Sequence, residues 1–279
     1  MSINVKDLSF CYNRGTSLQR DALVNVSFSI DKGEFVLIGG EVGCGKTTLL
    51  RHMNGLLRPH SGSVTVDGLD AGNKKIKSKV GLLLQHPQKQ LFAKTVYEDI
   101  AFAPSNIGFK DNELKDHVRY AMDLTGIDGS ISSVSPFSLS GGEMRLVALA
   151  GVMAMKPEYL LLDEPTSGLD PENRSMMLKT LKELQASGVT IIIVSHQISE
   201  MISFAEKIMM LNSGSIDFIG TPKEYIFSTS SSLQLPDITS LMKDLKTAGM
   251  DVSEDVFSVD DALLQIKKAL LNVDGKRNE

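Results

Sequence analysis

Lys46 and Thr47 close the run Gly40-Glu41-Val42-Gly43-Cys44-Gly45-Lys46-Thr47, a G-x-x-x-x-G-K-T pattern set between a strand-like and a helix-like segment. That arrangement binds phosphate. Its glycines let successive backbone N–H groups turn inward on a β-phosphate, and the following helix presents its positive end. Lys46 places a point charge between the β- and γ-phosphates, and Thr47 offers a hydroxyl to Mg2+. Gly40, Gly43, Cys44, Gly45, Lys46, Thr47 and Thr48 are the expected nucleotide contacts, with Cys44 read as a tolerated small residue rather than a redox switch.

A second group of residues completes the chemistry. Leu160-Leu161-Leu162-Asp163-Glu164 ends an apolar run on two acids. Asp163 then falls at the carboxyl edge of a buried strand, where open α/β sheets bind ligands, and is the expected Mg2+ partner. Glu164 is placed to polarise an attacking water as general base. A third motif, Leu139-Ser140-Gly141-Gly142-Glu143, opens a further helix. Ser140, Gly141 and Gly142 expose N–H groups at its positive end, a second anion site. Lys46 already grips a phosphate within the chain, so this second site is expected to bind the nucleotide of a neighbouring subunit.

The elements that must hold these groups alternate in type. Strands are expected over 5–10, 22–30, 34–38, 63–68 and 80–85, with a helix over 46–57 following the phosphate loop. Residues 95–155 read as mostly helical, with breaks at Pro104, Gly108, Gly126 and Ser135-Pro136. Strand and helix then alternate over 159–163, 171–186, 189–195, 197–204 and 207–211. The fold class is therefore α/β, a mostly parallel sheet with an antiparallel β subdomain and a helical subdomain at roughly 86–155. The main domain is expected over 1–227. A Ser-rich stretch at 228–232 reads as a linker to a small α-helical extension over 233–279. Its helices are expected over 237–248 and 259–271, the second capped by Ser258 and striped by Val259, Leu263, Ile266 and Leu270.

Composition narrows the setting. The 279 residues carry a net charge of −5, which argues against nonspecific nucleic-acid binding, since that needs a basic face. Cys11 and Cys44 stand in no metal-ligand spacing and read as reduced thiols. The amino-terminal residues lack the apolar core of a signal peptide, and the longest apolar stretch, at 147–155, is far too short to span a bilayer. The expected location is the cytoplasm.

With the three motifs in this order, the chain resembles the ATP-binding cassette (ABC) ATPases: residues 40–47 match Walker A, 160–164 Walker B and 139–143 the family signature. The resemblance implies further roles. Gln85 corresponds to the glutamine that contacts Mg2+ and the transport partner, residues 167–170 to the loop that crosses between subunits, and His196 to the switch histidine at the γ-phosphate. Tyr12 corresponds to the aromatic that stacks on adenine. Lys46, Gln85, Glu164 and His196 would then surround the attacking water.

Residues 80–92 and 95–104 are similar to the ATPases of energy-coupling factor (ECF) transporters, and Leu235-Pro236-Asp237-Ile238-Thr239 to the region that helps pair two such ATPases. Residues 14–23 resemble the longer early loop of one ATPase type in heterodimeric systems. The implied function is ATP-driven uptake of a vitamin or transition-metal ion. The implied partners are a transmembrane coupling subunit, a second ABC ATPase and substrate-binding membrane subunits, at the cytoplasmic face of the cell membrane. A conventional importer ATPase working with a solute-binding protein remains the alternative, ahead of a soluble cassette acting on nucleic acid or ribosomes. The chain departs from the family at Glu143 and Leu146, where glutamine and arginine are usual, and at Glu41, which is expected to face solvent.

Overall fold

The computed structural model describes residues 1–86, 89–228 and 237–275, so Pro87, Gln88, residues 229–232 of the expected linker, and Leu235 and Pro236 lie outside the described residues. In chain order the elements are β1 (Ser2–Tyr12), β2 (Arg20–Asp31), β3 (Phe35–Gly40), α1 (Lys46–Met53), β4 (Ser61–Val66), β5 (Leu69–Asp70), β6 (Val80–Leu83), α2 (Val96–Asn106), α3 (Asp111–Thr125) and α4 (Gly141–Met153). There follow β7 (Tyr159–Asp163), α5 (Pro171–Ala186), β8 (Thr190–Val194), α6 (Ile198–Met201), β9 (Lys207–Asn212), β10 (Ser215–Gly220), α7 (Pro222–Ser228), α8 (Asp237–Thr247) and α9 (Val259–Gly275).

Two sheets face each other. One is antiparallel, in the order β2-β1-β4-β5. The other runs β10-β9-β3-β8-β7-β6, parallel from β9 to β6, with β10 antiparallel at its edge. The period-two alternation of side chains divides the central strands between two cores. Leu37, Leu160, Leu162, Ile191 and Ile193 pack toward α2–α5, while Val36, Ile38, Leu161, Ile192 and Val194 pack toward the antiparallel sheet. Strands buried on both faces must be apolar throughout, which is why these segments read as unbroken Leu, Ile and Val.

Several expectations need correction. The helix after the phosphate loop stops at Met53, not Leu57: Asn54 donates to the Val80 carbonyl at 2.7 Å, and Gly55 turns left-handed with φ 73°. Leu56 is thereby left exposed. Pro104 does not break a helix but sits inside α2, which ends two residues later at Asn106, so the lost N–H bond falls at the helix end rather than its middle. β10 and α7 were not expected: β10 is an antiparallel edge strand with only half-buried or exposed side chains, and α7 runs for only seven residues.

In the extension, Ser258 caps α9 as expected, accepting from the Asp261 N–H at 3.1 Å. Of the expected stripe only Ile266 packs on the core of the extension. Ala262 and Ala269 are buried with Met242, Val252 and Val256, because small residues allow close approach to α8 and its loop. Val259, Leu263 and Leu270 are left exposed. Phe257 on the main core and a Lys223–Asp255 ion pair at 2.6 Å tie the extension to the rest of the chain.

Candidate functional site

The phosphate loop leaves the carboxyl end of β3, between β8 and β9, and runs into α1. Gly45, at the helix N-cap, has φ 112°, and a Cβ there would run into the Ala22 carbonyl. Only glycine fits. Lys46 is buried, its Nζ donating to the carbonyls of Gly40 at 2.6 Å and Glu41 at 2.8 Å. With a longer contact from Nζ to Cys44 Sγ at 3.9 Å, these bonds hold the ammonium against the loop. Cys44 is buried beneath the loop, and the Glu41 side chain is exposed as expected.

β7 delivers the two acids. Asp163 accepts a hydrogen bond from the Thr47 hydroxyl at 2.6 Å, joining the sheet edge to the phosphate loop. Burial pushes its carboxyl above the ordinary range, against the pull of that hydrogen bond. A buried carboxylate beside a hydroxyl, with the Gln85 amide in the same pocket, is an all-oxygen donor set of the kind that suits Mg2+. Glu164 sits in the left-handed region at φ 51°, a conformation that costs a non-glycine residue on the order of 1–3 kcal/mol. That backbone turn aims its carboxylate at His196, whose backbone N–H donates to one carboxyl oxygen at 2.9 Å and whose Nδ1 lies 2.9 Å from the other. The carboxylate is therefore oriented through contacts from the end of β8.

Tyr12, Gly43, Gly45, Lys46, Thr47, Thr48, Gln85, Asp163 and Glu164 line one cleft of about 250 Å³. Tyr12 bonds Thr48 through its hydroxyl at 3.1 Å and meets Phe10 edge-on. Gly40 and Cys44 lie outside the lining, and His196 stands behind Glu164. Val42, from the phosphate loop itself, also lines the cleft, as do Arg20 and Ala22, which no sequence pattern assigned to the nucleotide. The pairing of β1 with β2, which sets Arg20 against Tyr12, brings these two there.

Ser140, Gly141 and Gly142 do not enter this cleft. They start α4 on the helical subdomain, where Ser140 and Glu143 form a reciprocal cap. The Ser140 N–H and hydroxyl both donate to the Glu143 carboxylate, at 2.8 and 2.7 Å. Those bonds hold the Glu143 carboxyl below the usual range. A Cβ added to Gly141 or Gly142 would meet nothing within 4 Å. Further along α4, Arg145 donates to the Ser167 carbonyl, linking this helix to the loop at 167–170, and Leu146 packs against the core.

A P-loop, a two-acid strand end and a separate glycine-led helix on a helical subdomain define an ATPase of the ATP-binding cassette class. The family model described as ABC transporter matches residues 23–167, and the chain belongs to that family. It binds ATP, and its hydrolysis is coupled to transport. The ECF transporter ATP-binding protein EcfA2 of Caldanaerobacter subterraneus subsp. tengcongensis is 42% identical, over 97% of this chain and 98% of its own. CbiO1 of Clostridium perfringens, part of the ABC transporter complex CbiONQ, superposes with a TM-score of 0.73 at 34% identity, over 88% of this chain and 96% of its own. An ATP-binding cassette solved as a dimer in a post-hydrolysis state with ADP and Pi gives a TM-score of 0.72 at 27% identity, over 79% and 98%.

Proposed function

We propose that this chain is an ATP-hydrolysing subunit of an ECF-type importer at the cytoplasmic face of the cell membrane, driving uptake of a micronutrient, a vitamin or transition-metal ion. Two cassettes sandwich two ATP molecules, each held by one subunit's P-loop and the other's Ser140, Gly141 and Gly142. The observation that carries this reading is the open space at Gly141 and Gly142. Nothing in the chain itself requires glycine there, whereas a phosphate approaching from outside would.

In the closed site Lys46 holds the β- and γ-phosphates, Tyr12 stacks on the base, and Glu164, oriented by His196, accepts a proton from the attacking water. Thr47, Asp163 and Gln85 would hold Mg2+, which neutralises charge on the β- and γ-phosphate oxygens. Catalysis is then positioning and electrostatics, and loss of the γ-phosphate removes what bridges the halves.

Two surfaces support the remaining partners. A groove of about 440 Å³ between β6, α2 and α4, lined by Leu84, Phe92, Phe102 and Met155 among others, suits a coupling helix of a membrane subunit. The outer face of α9, with Val259 70% and Leu264 68% exposed, suits pairing with a second cassette. No helix among the described residues is long and apolar enough to cross a membrane, so the translocation path belongs to other chains.

The test is to purify tagged Glu164→Gln protein from detergent-solubilised native membranes and identify the co-eluting chains by mass. One coupling subunit, a second cassette and several small membrane proteins are expected. A pair of permeases with a solute-binding protein would instead mean a conventional importer.

A further inference from the structure

The nucleotide cleft holds a second cation that none of the nucleotide-binding motifs read from the sequence includes. Arg20 faces Tyr12 across the β1–β2 ladder and lines the cleft at its Tyr12 end. Its Nη2 donates to the Gly43 carbonyl at 3.2 Å, and a Cβ on Gly43 would approach that nitrogen to 2.9 Å, so the guanidinium lies directly against the phosphate loop. Among the described residues no carboxylate pairs with it. Arg20 is exposed, with most of its donor fork unused, beside a pocket built for a polyanion.

Position assigns the part of the ligand it would meet. Lys46, Thr47 and Asp163 mark the β- and γ-phosphate end, and Tyr12 marks the base. Arg20, paired with Tyr12 on the strand ladder and bonded to the phosphate loop at Gly43, stands where the Tyr12 end of the cleft meets that loop. We propose that Arg20 is a phosphate-binding residue of this site, closing its planar fork on the α-phosphate side of the nucleotide that the P-loop holds. The proposal rests on the P-loop reading of the cleft. Because the α-phosphate gains no charge during γ-phosphoryl transfer, this contact would be equally strong in ground and transition states. It would set affinity and leave turnover alone.

The experiment compares Arg20→Ala, Arg20→Gln and Arg20→Lys in the full-length chain by displacement of mant-ATP with ATP, ADP and tripolyphosphate. Steady-state hydrolysis is followed in the purified transporter complex. A charge-assisted contact of ordinary strength predicts that Arg20→Ala weakens all three ligands by about tenfold, raising KM and leaving kcat within about twofold. Arg20→Lys should recover most of the loss. Arg20→Gln, which can still donate to the Gly43 carbonyl but carries no charge, should not.

Wild-type affinity in Arg20→Gln would make the side chain a neutral prop for the loop and overturn the proposal. So would a loss confined to ATP and ADP with tripolyphosphate unaffected, which would place the contact on the base. Lys46→Ala run alongside separates the two levels: undiminished binding there would mean that the cleft itself is misassigned, whatever Arg20 does.

Discussion

The phosphate-loop cleft and the Ser140 corner both begin a helix with glycine, yet they are built differently. The cleft is interlocked within one chain. Thr47 bonds Asp163, His196 bonds Glu164, Lys46 is held by two carbonyls, and Gly45 has no room for a side chain. The corner is closed by a carboxylate three residues along, and a Cβ on either glycine would meet nothing within 4 Å. Glycine in the first place is explained by the fold; in the second it is explained only by something that arrives. In the proposed sandwich, the first half-site is finished when the chain folds and the second is completed by another cassette.

The strongest way to break this contrast is at the chemistry. Glu164→Gln should lower hydrolysis by about 10²- to 10⁴-fold, the usual range for a general base, while ATP binding persists and light scattering detects an ATP-dependent dimer. Near-normal turnover would remove Glu164 from the base role. Next comes the glycine pair. Gly45→Ala should collide with the Ala22 carbonyl and strain a φ of 112°, costing on the order of 1–3 kcal/mol in denaturant melts. Gly141→Ala should leave stability within about 0.5 kcal/mol and mant-ATP binding unchanged, while raising the ATP concentration needed for dimerisation of the Glu164→Gln protein. If Gly141→Ala unfolds the chain and Gly45→Ala does not, the comparison is backwards.

A smaller effect falls on the cap of α4. Asp163 and Glu143 are shifted in opposite directions, the first raised by burial and the second lowered by the Ser140 hydroxyl and N–H. A carboxyl with a depressed folded value stabilises above its ordinary range and loses that contribution as pH falls through the folded value. Hydrogen exchange at the start of α4, corrected for intrinsic rates, should therefore accelerate in acid relative to the interlocked end of α1. Glu143→Gln should abolish that difference in pH dependence while keeping the cap geometry.

Much of this site is legible in the sequence because its chemistry is local. The phosphate loop needs glycines at fixed offsets from Lys46 and Thr47, and the acids must end a strand buried on both faces, so both leave contiguous marks. β7 and α5 have the bounds that pattern and flanking residues predict. Failures occur where contacts between distant segments decide. The end of α1 depends on Val80 and on the room around Gly55, and the buried face of α9 depends on which residues let α8 come close. Arg20 falls in the early loop at 14–23, but nothing there ties it to the nucleotide until β1 pairs with β2.

The sequence by itself determined which groups can do chemistry, because phosphate binding, general-base action and helix-end anion sites each demand particular residue types at short spacings. It also determined the α/β class, through the alternation of apolar strands with amphipathic helices. Tertiary structure alone decided which of those groups share a cleft. Distances such as the 2.6 Å from Thr47 to Asp163 are set by strand order, not by separation along the chain. It likewise decided that the Ser140 corner stands apart, because α4 is held by the helical subdomain while α1 is held by the sheet.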